Sequence, residues 1–154
     1  VTLTLKGISE LIPLALLMVL AFAIGNACSA LDTGNYVANV TESWLTPELL
    51  PAVVFVVSSF IAFATGTSWG TFAIMLAISI PMANTHNADL TIVVAATLGG
   101  GIFGDHCSPI SDTSIIASMA SASDHIDHVK TQLPYALFGG IITVVLYLLI
   151  GFLG

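Results

Sequence analysis

The chain has 154 residues, of which 56% are hydrophobic and only 7% charged, with a formal net charge of −7 at pH 7. A soluble domain usually covers its surface with about 25% charged residues, so this composition excludes that class and predicts an all-α polytopic membrane protein. Lys6 and Lys130 are the whole basic complement, which excludes nucleic-acid binding. Cys28 and Cys107 fit no CxxC, zinc or haem spacing and read as free thiols.

In chain order, Val1 is preceded by no methionine, and neither a basic leader nor an A-x-A cleavage site follows it. Residues 11–31 are therefore a membrane helix rather than a signal peptide, and the chain is expected to be part of a longer protein. About 20 apolar residues cross a hydrocarbon core of about 30 Å, a length that residues 11–31 meet. The segment LDTGNYVANVTESW (31–44) reads as an exposed loop, and its Asn39-Val40-Thr41 sequon as a chance match. Residues 47–64 are apolar over about 27 Å, the polar TGTSWGT (65–71) follows, and the next apolar run, 72–83, covers only about 18 Å. A pair of helices with one limb too short to cross predicts a re-entrant hairpin over 47–83. The alternative is two full helices joined at the surface, with Trp69 in the aromatic belt.

Residues 90–103 and 113–122 are again short apolar pieces, separated by GDHCSPISDTS (104–114). They predict one transmembrane helix, 90–122, broken near its middle. Pro109 removes an amide donor and disfavours helix at Ser108, while Ser111 or Asp112 can cap the second piece. SASDHIDHVK (121–130) reads as a polar loop, and residues 132–153 as a last membrane helix with Pro134 near its start. Along this path Lys6 and Lys130 share one face, which the positive-inside rule makes cytoplasmic.

Lipid offers no hydrogen-bond partner, so irregular backbone at membrane depth survives only inside protein or beside water. A broken helix exposes carbonyls with partial negative charge on one side and amides with partial positive charge on the other, which suits ions. Hard cations prefer oxygen. Thr65, Thr67, Ser68 and Thr71 offer hydroxyls at the first break, and Ser108, Ser111 and Thr113 at the second. Asp105 and Asp112 add carboxylates, and an ionisable group inside a membrane is a functional candidate by default. A carboxylate that binds either a proton or a sodium ion, but not both, is the minimum that exchange requires. Plainer readings stand beside these: Asp112 as an N-cap, Asp105 near an interface, and the glycines of GTSWG and GGIFG as packing positions. His106 reads as a proton carrier or as an orienter of its neighbouring Asp. His125 and His128, among Asp124 and Asp127, read as a solvated loop rather than a metal cluster. No HExxH and no second His at helical spacing support an enzyme.

Three blocks, FATGTSWGTFAIML (63–76), GGGIFGDHCSPISDTSIIASMAS (99–121) and DHIDHVKTQLPYAL (124–137), resemble the C-terminal part of the NhaC-type sodium/proton antiporter family. The resemblance implies a prokaryotic inner-membrane protein of several hundred residues, similar to the ion-transporter superfamily. Such proteins are built from two inverted repeats, each with a re-entrant hairpin and a broken helix. On that likeness this chain corresponds to the second repeat, and the breaks supply half of a midplane site. The other half would come from the N-terminal repeat of the same protein or from a second copy. The family also looks to include exchangers of malate and lactate.

The expected function is therefore secondary transport that exchanges cytoplasmic sodium for external protons, with no enzymatic activity and no cofactor. Sodium is the cargo, and the partners are sodium, protons, the lipid bilayer and further copies in a homo-oligomer. Asp105 and Asp112 are the expected ion and proton sites, with Ser108, Ser111, Thr113, Thr67 and Ser68 as neutral ligands and His106 in support. The alternatives are an organic-acid exchanger and a non-transporting membrane scaffold.

Overall fold

In the computed structural model the chain is described from Thr2 to Leu153, apart from the side chains at positions 2–4, 7, 10–11, 13–14, 17–18 and 21. The described residues form seven helices: α1 (Thr2–Ala30), α2 (Thr33–Thr41), α3 (Leu50–Thr65), α4 (Ser68–His86), α5 (Leu90–Cys107), α6 (Asp112–Ala120) and α7 (His125–Leu153). Two of them, α5 and α7, are long and apolar enough to cross a membrane.

The centre of the fold is the pairing of α3 with α5. An added Cβ at Gly100 would collide with the Phe55 carbonyl, and one at Gly104 with the Ser59 carbonyl. Ser108 continues the series, because its hydroxyl donates to the Phe63 carbonyl at 2.7 Å. The partners advance four residues at a time on both helices, so α3 and α5 run parallel along one ridge, joined by α4 returning between them. The missing side chains let the backbones touch, as small residues do in membrane bundles. Leu50, Val54 and Phe55 of α3 and Val93 and Ala96 of α5 are buried beside this seam. Phe55 also stacks on Phe103 and Tyr147, with ring centroids 5.7 and 5.6 Å apart.

Several expected boundaries move. Residues 33–41, expected as loop, form α2, because Gly34 and Ala38 are buried one turn apart. A Cβ at Gly34 would sit 2.7 Å from Pro81 Cγ. Packing on α4 overrides the weak helix propensity of Thr, Gly and Asn. The first helix begins at Thr2 rather than 11. The second limb of the hairpin is not short: α4 has 19 residues, about 28 Å. Its polar ends are helical, since Thr71 donates to the Thr67 carbonyl at 2.9 Å and His86 lies buried beside Thr41. Limb length therefore no longer argues for re-entrance. Likewise α5 alone has 18 residues, about 27 Å, against nine in α6. The break falls two thirds of the way along the pair rather than near the middle.

The last helix starts at His125, because the Asp124 carboxylate accepts the amides of Ile126 and Asp127 at 2.9 and 3.1 Å. Of the residues read as loop, 121–124 are non-helical and 125–130 are its first turns, and Pro134 lies inside it. It rests on the core through Gly140 against Phe103 and Gly151 against the Glu48 backbone, while Tyr135, Phe138, Ile141 and Phe152 are exposed.

Candidate ion-binding site

Pro109 stops α5, and residues 108–111 are non-helical. The Ser108 amide returns to the Asp105 carbonyl at 3.0 Å. Ser111 then takes extended backbone angles, φ −70° and ψ 133°, as the N-cap of α6. Its Oγ accepts the amides of Thr113 and Ser114 at 3.2 and 3.5 Å. Ser111, not Asp112, is thus the cap, and the cap points its hydroxyl hydrogen elsewhere.

That hydrogen goes to Asp105. Ser111 Oγ donates to Asp105 Oδ1 at 2.8 Å, and Thr113 Oγ1 donates to Oδ2 at 3.0 Å. The two hydroxyl oxygens lie 2.7 Å apart. Asp105 is only 2% exposed and Ser111 is fully buried. The three side chains therefore close a ring of three short O···O contacts. A hydroxyl brings one hydrogen and an ionised carboxylate brings none, so the ring holds two hydrogens for three contacts. With both given to the carboxylate, two oxygen lone pairs face one another between Ser111 and Thr113. A proton on Asp105 closes the ring: the acid donates to one hydroxyl, that hydroxyl to the other, and the second back to the carboxyl. A cation among the oxygens removes the same conflict without a hydrogen.

The hairpin tip lies against this break. Gly66 caps α3 in the left-handed region at φ 67°, where glycine is favoured. It is buried, and a Cβ there would sit 2.8 Å from the Ile110 carbonyl oxygen. With the bond from Ser108 to Phe63, this brings the two polar breaks of the sequence together.

The expected site residues divide. Asp105, Ser111 and Thr113 form the ring, and Ser108 ties it to α3. Asp112 is exposed in the first turn of α6 and has no hydrogen bond to the ring. Thr67 and Ser68 are half-buried at the start of α4, also without a bond to Asp105. His106 does not orient Asp105: its Nδ1 donates to Ile102 O, on its own helix, at 3.0 Å. Outside the expected set, Ser114 Oγ and Gln132 Nε2 reach the His106 carbonyl at 3.4 and 3.3 Å, and His125 reaches Pro109 at 2.7 Å. Capping and back-bonding serines announce themselves only through spacing, and the first turns of α7, which carry His125, were hidden by their polarity.

Both cysteines are free, Cys28 half-buried and Cys107 buried. Among the described residues no three His, Cys, Asp or Glu side chains group as a metal site. An apolar cleft of about 290 Å³ between α3, α5 and α7 is lined by Phe55, Phe103 and Val144, behind the seam and apart from the ring.

A buried acid, hydroxyl oxygens and freed helix ends are what an ion carrier needs, and comparison with known proteins decides the family. The model of the Na+/H+ antiporter family matches residues 1–152. The chain belongs to this family. It is 32% identical over 110 residues to the malate-2H(+)/Na(+)-lactate antiporter of Bacillus subtilis, covering 71% of this chain and 24% of that one. It is 30% identical over 112 residues to the Na(+)/H(+) antiporter NhaC of Alkalihalophilus pseudofirmus, covering 73% and 23%. An uncharacterised protein of Haemophilus influenzae is 38% identical over 147 residues, 95% of this chain and 28% of that one. The chain spans about a quarter of the length of the curated relatives it matches. No solved structure matches. Membership of an antiporter family is in keeping with the apolar exposed helices.

Proposed function

We propose that the chain forms part of a sodium/proton antiporter of a prokaryotic inner membrane, with Asp105 as the group that alternately holds a proton and a sodium ion. The observation that carries this is the hydrogen count of the Asp105–Ser111–Thr113 ring. The ring is satisfied by one proton or by one small cation, and the two compete for the same oxygens. Asp105 stands in the last turn of α5, the end of the helix that carries partial negative charge, which favours a cation over an anion. Ser108 holds the ring against α3, and Thr67 and Ser68 stand at the tip as further oxygen donors. Asp112 is a second carboxylate at the mouth, open to ligands from the rest of the transporter.

The hairpin over 47–83 is read as re-entrant because Gly66 at its tip is buried against the second break. On this reading the chain is one inverted repeat of the two that build the transporter. Lys6 and Lys130 place their shared face in the cytoplasm. Homo-oligomers are the expected assembly.

A second reading, exchange of an organic acid coupled to sodium or protons, is favoured by the similarity to the B. subtilis protein, whose name gives malate and lactate. The amides at the start of α6 would then meet a substrate carboxylate. The test uses the intact transporter in proteoliposomes with an imposed pH gradient. Collapse on adding sodium, with no need for an organic acid, is expected. Collapse only with malate or lactate favours the second reading, and no collapse with either leaves a non-transporting scaffold.

A further inference from the structure

Two side chains of α7 reach the broken segment, and neither belongs to the ring. His125 Nε2 lies 2.7 Å from the Pro109 carbonyl oxygen, and Gln132 Nε2 lies 3.3 Å from that of His106. A carbonyl only accepts, so His125 carries a hydrogen on Nε2. Its Nδ1 lies 3.2 Å from Ser118 Oγ of α6, whose hydroxyl is also 2.8 Å from the Ile115 carbonyl. The imidazole thus spans from the break to the second turn of α6.

The Pro109 carbonyl has no helical partner. Four residues on, the Thr113 amide turns to Ser111 Oγ instead. Pro109 also stands two residues before Ser111, and the direction of its peptide sets where Ser111 and then Thr113 point. Ser108, on the other side, is held by α3. The segment 108–111 is therefore pinned at its first two residues, Ser108 by a carbonyl of α3 and Pro109 by an imidazole of α7.

We propose that His125 is a positioning residue for the Asp105 ring: by holding the Pro109 carbonyl it fixes the orientation of the Ser111 and Thr113 hydroxyls and so the affinity of the site. The proposal rests on the ion-exchange reading for its transport consequence and on geometry alone for the clamp. A glutamine at this position carries its amide nitrogen near the place of Nε2, whereas asparagine is too short and alanine has no donor.

The experiment compares His125→Gln, His125→Asn and His125→Ala in the intact transporter. Amide hydrogen exchange over residues 108–114 is measured in detergent, and the apparent sodium KM and maximal rate in proteoliposomes. Loss of one hydrogen bond predicts a roughly three- to tenfold rise in both exchange rate and sodium KM for Asn and Ala, with maximal rate little changed and Gln close to wild type. Equal behaviour of all three variants overturns the proposal. So does a change in exchange without a change in KM, or the reverse. Loss of any variant from the membrane makes His125 a folding contact and overturns it as well. If the wild type shows no sodium-driven exchange, the functional reading fails separately, and amide exchange alone decides the clamp: faster in Asn and Ala but not in Gln upholds it, and no difference sinks it.

Discussion

Asp105 meets its two hydroxyl neighbours at 2.8 and 3.0 Å, and replacing its charge without its shape is the most direct probe of the ring. An asparagine there keeps an oxygen for Ser111 and adds an N–H for Thr113, so it closes the ring permanently. Asp105→Asn is therefore expected to fold and reach the membrane normally, while sodium-driven collapse of a pH gradient falls to background. Asp112→Asn, at an exposed position without a bond to the ring, should lower the rate far less than Asp105→Asn. Thr113→Val removes one donor and should raise the sodium KM roughly three- to tenfold. Ser111→Ala should do more harm, because it also removes the α6 cap, a loss of about 1 kcal/mol in stability that a melting curve in detergent would register. If proton and sodium share these oxygens, acidification must weaken apparent sodium affinity in the wild type, while Asp105→Asn binds no sodium at the ring at any pH.

At the level of helices, the parallel contact of α3 and α5 depends on glycine at two successive turns. Gly104→Ala drives a methyl into the Ser59 carbonyl, and backbone cannot step aside as a side chain can. The expected result is a protein depleted from the membrane, or one that melts well below wild type. Gly139, with nothing within 4 Å of an added Cβ, is the control: alanine there should be neutral or stabilise α7 by up to about 1 kcal/mol. These elements also show what could be read from the sequence. Hydropathy found the helix class and both breaks, because a polar stretch with a central proline, such as SPIS, cannot carry a regular helix through apolar chain. That the two breaks belong together came from the family likeness, and residue types alone offered Asp105, Ser111 and Thr113 as candidate oxygens without the ring that joins them. Hydropathy missed α2 and the polar ends of α4 and α7, where helix is maintained by a neighbour or by a cap: Gly34 on Pro81, Thr71 on Thr67, Asp124 on Ile126. It also gave Asp112 equal weight with Asp105, since burial a few residues either side of a proline depends on which way the chain turns.

For the whole molecule, the open question is how much of a transporter these helices make. The ring supplies four side-chain oxygens: two from Asp105 and one each from Ser111 and Thr113. Hard cations taken from water commonly want about six. The remainder must come from freed carbonyls or from groups beyond this chain, and Asp112 and the tip hydroxyls of Thr67 and Ser68 face that need unpaired with the ring. The apolar surface points the same way, because α7 has few buried residues and much of α1, including Ile12, Leu16 and Val19, is exposed. Lipid can cover such surfaces, but lipid cannot finish an ion site. With relatives about three times as long as the chain, the 154-residue polypeptide reconstituted by itself is expected to insert and yet to show no sodium-driven pH collapse, whereas a protein of the relatives' length carrying it should. Robust exchange by the short chain alone would reverse that conclusion. It would mean that copies of this chain complete one another's sites, and mixing wild type with Asp105→Asn would then depress the rate more steeply than the fraction of mutant present.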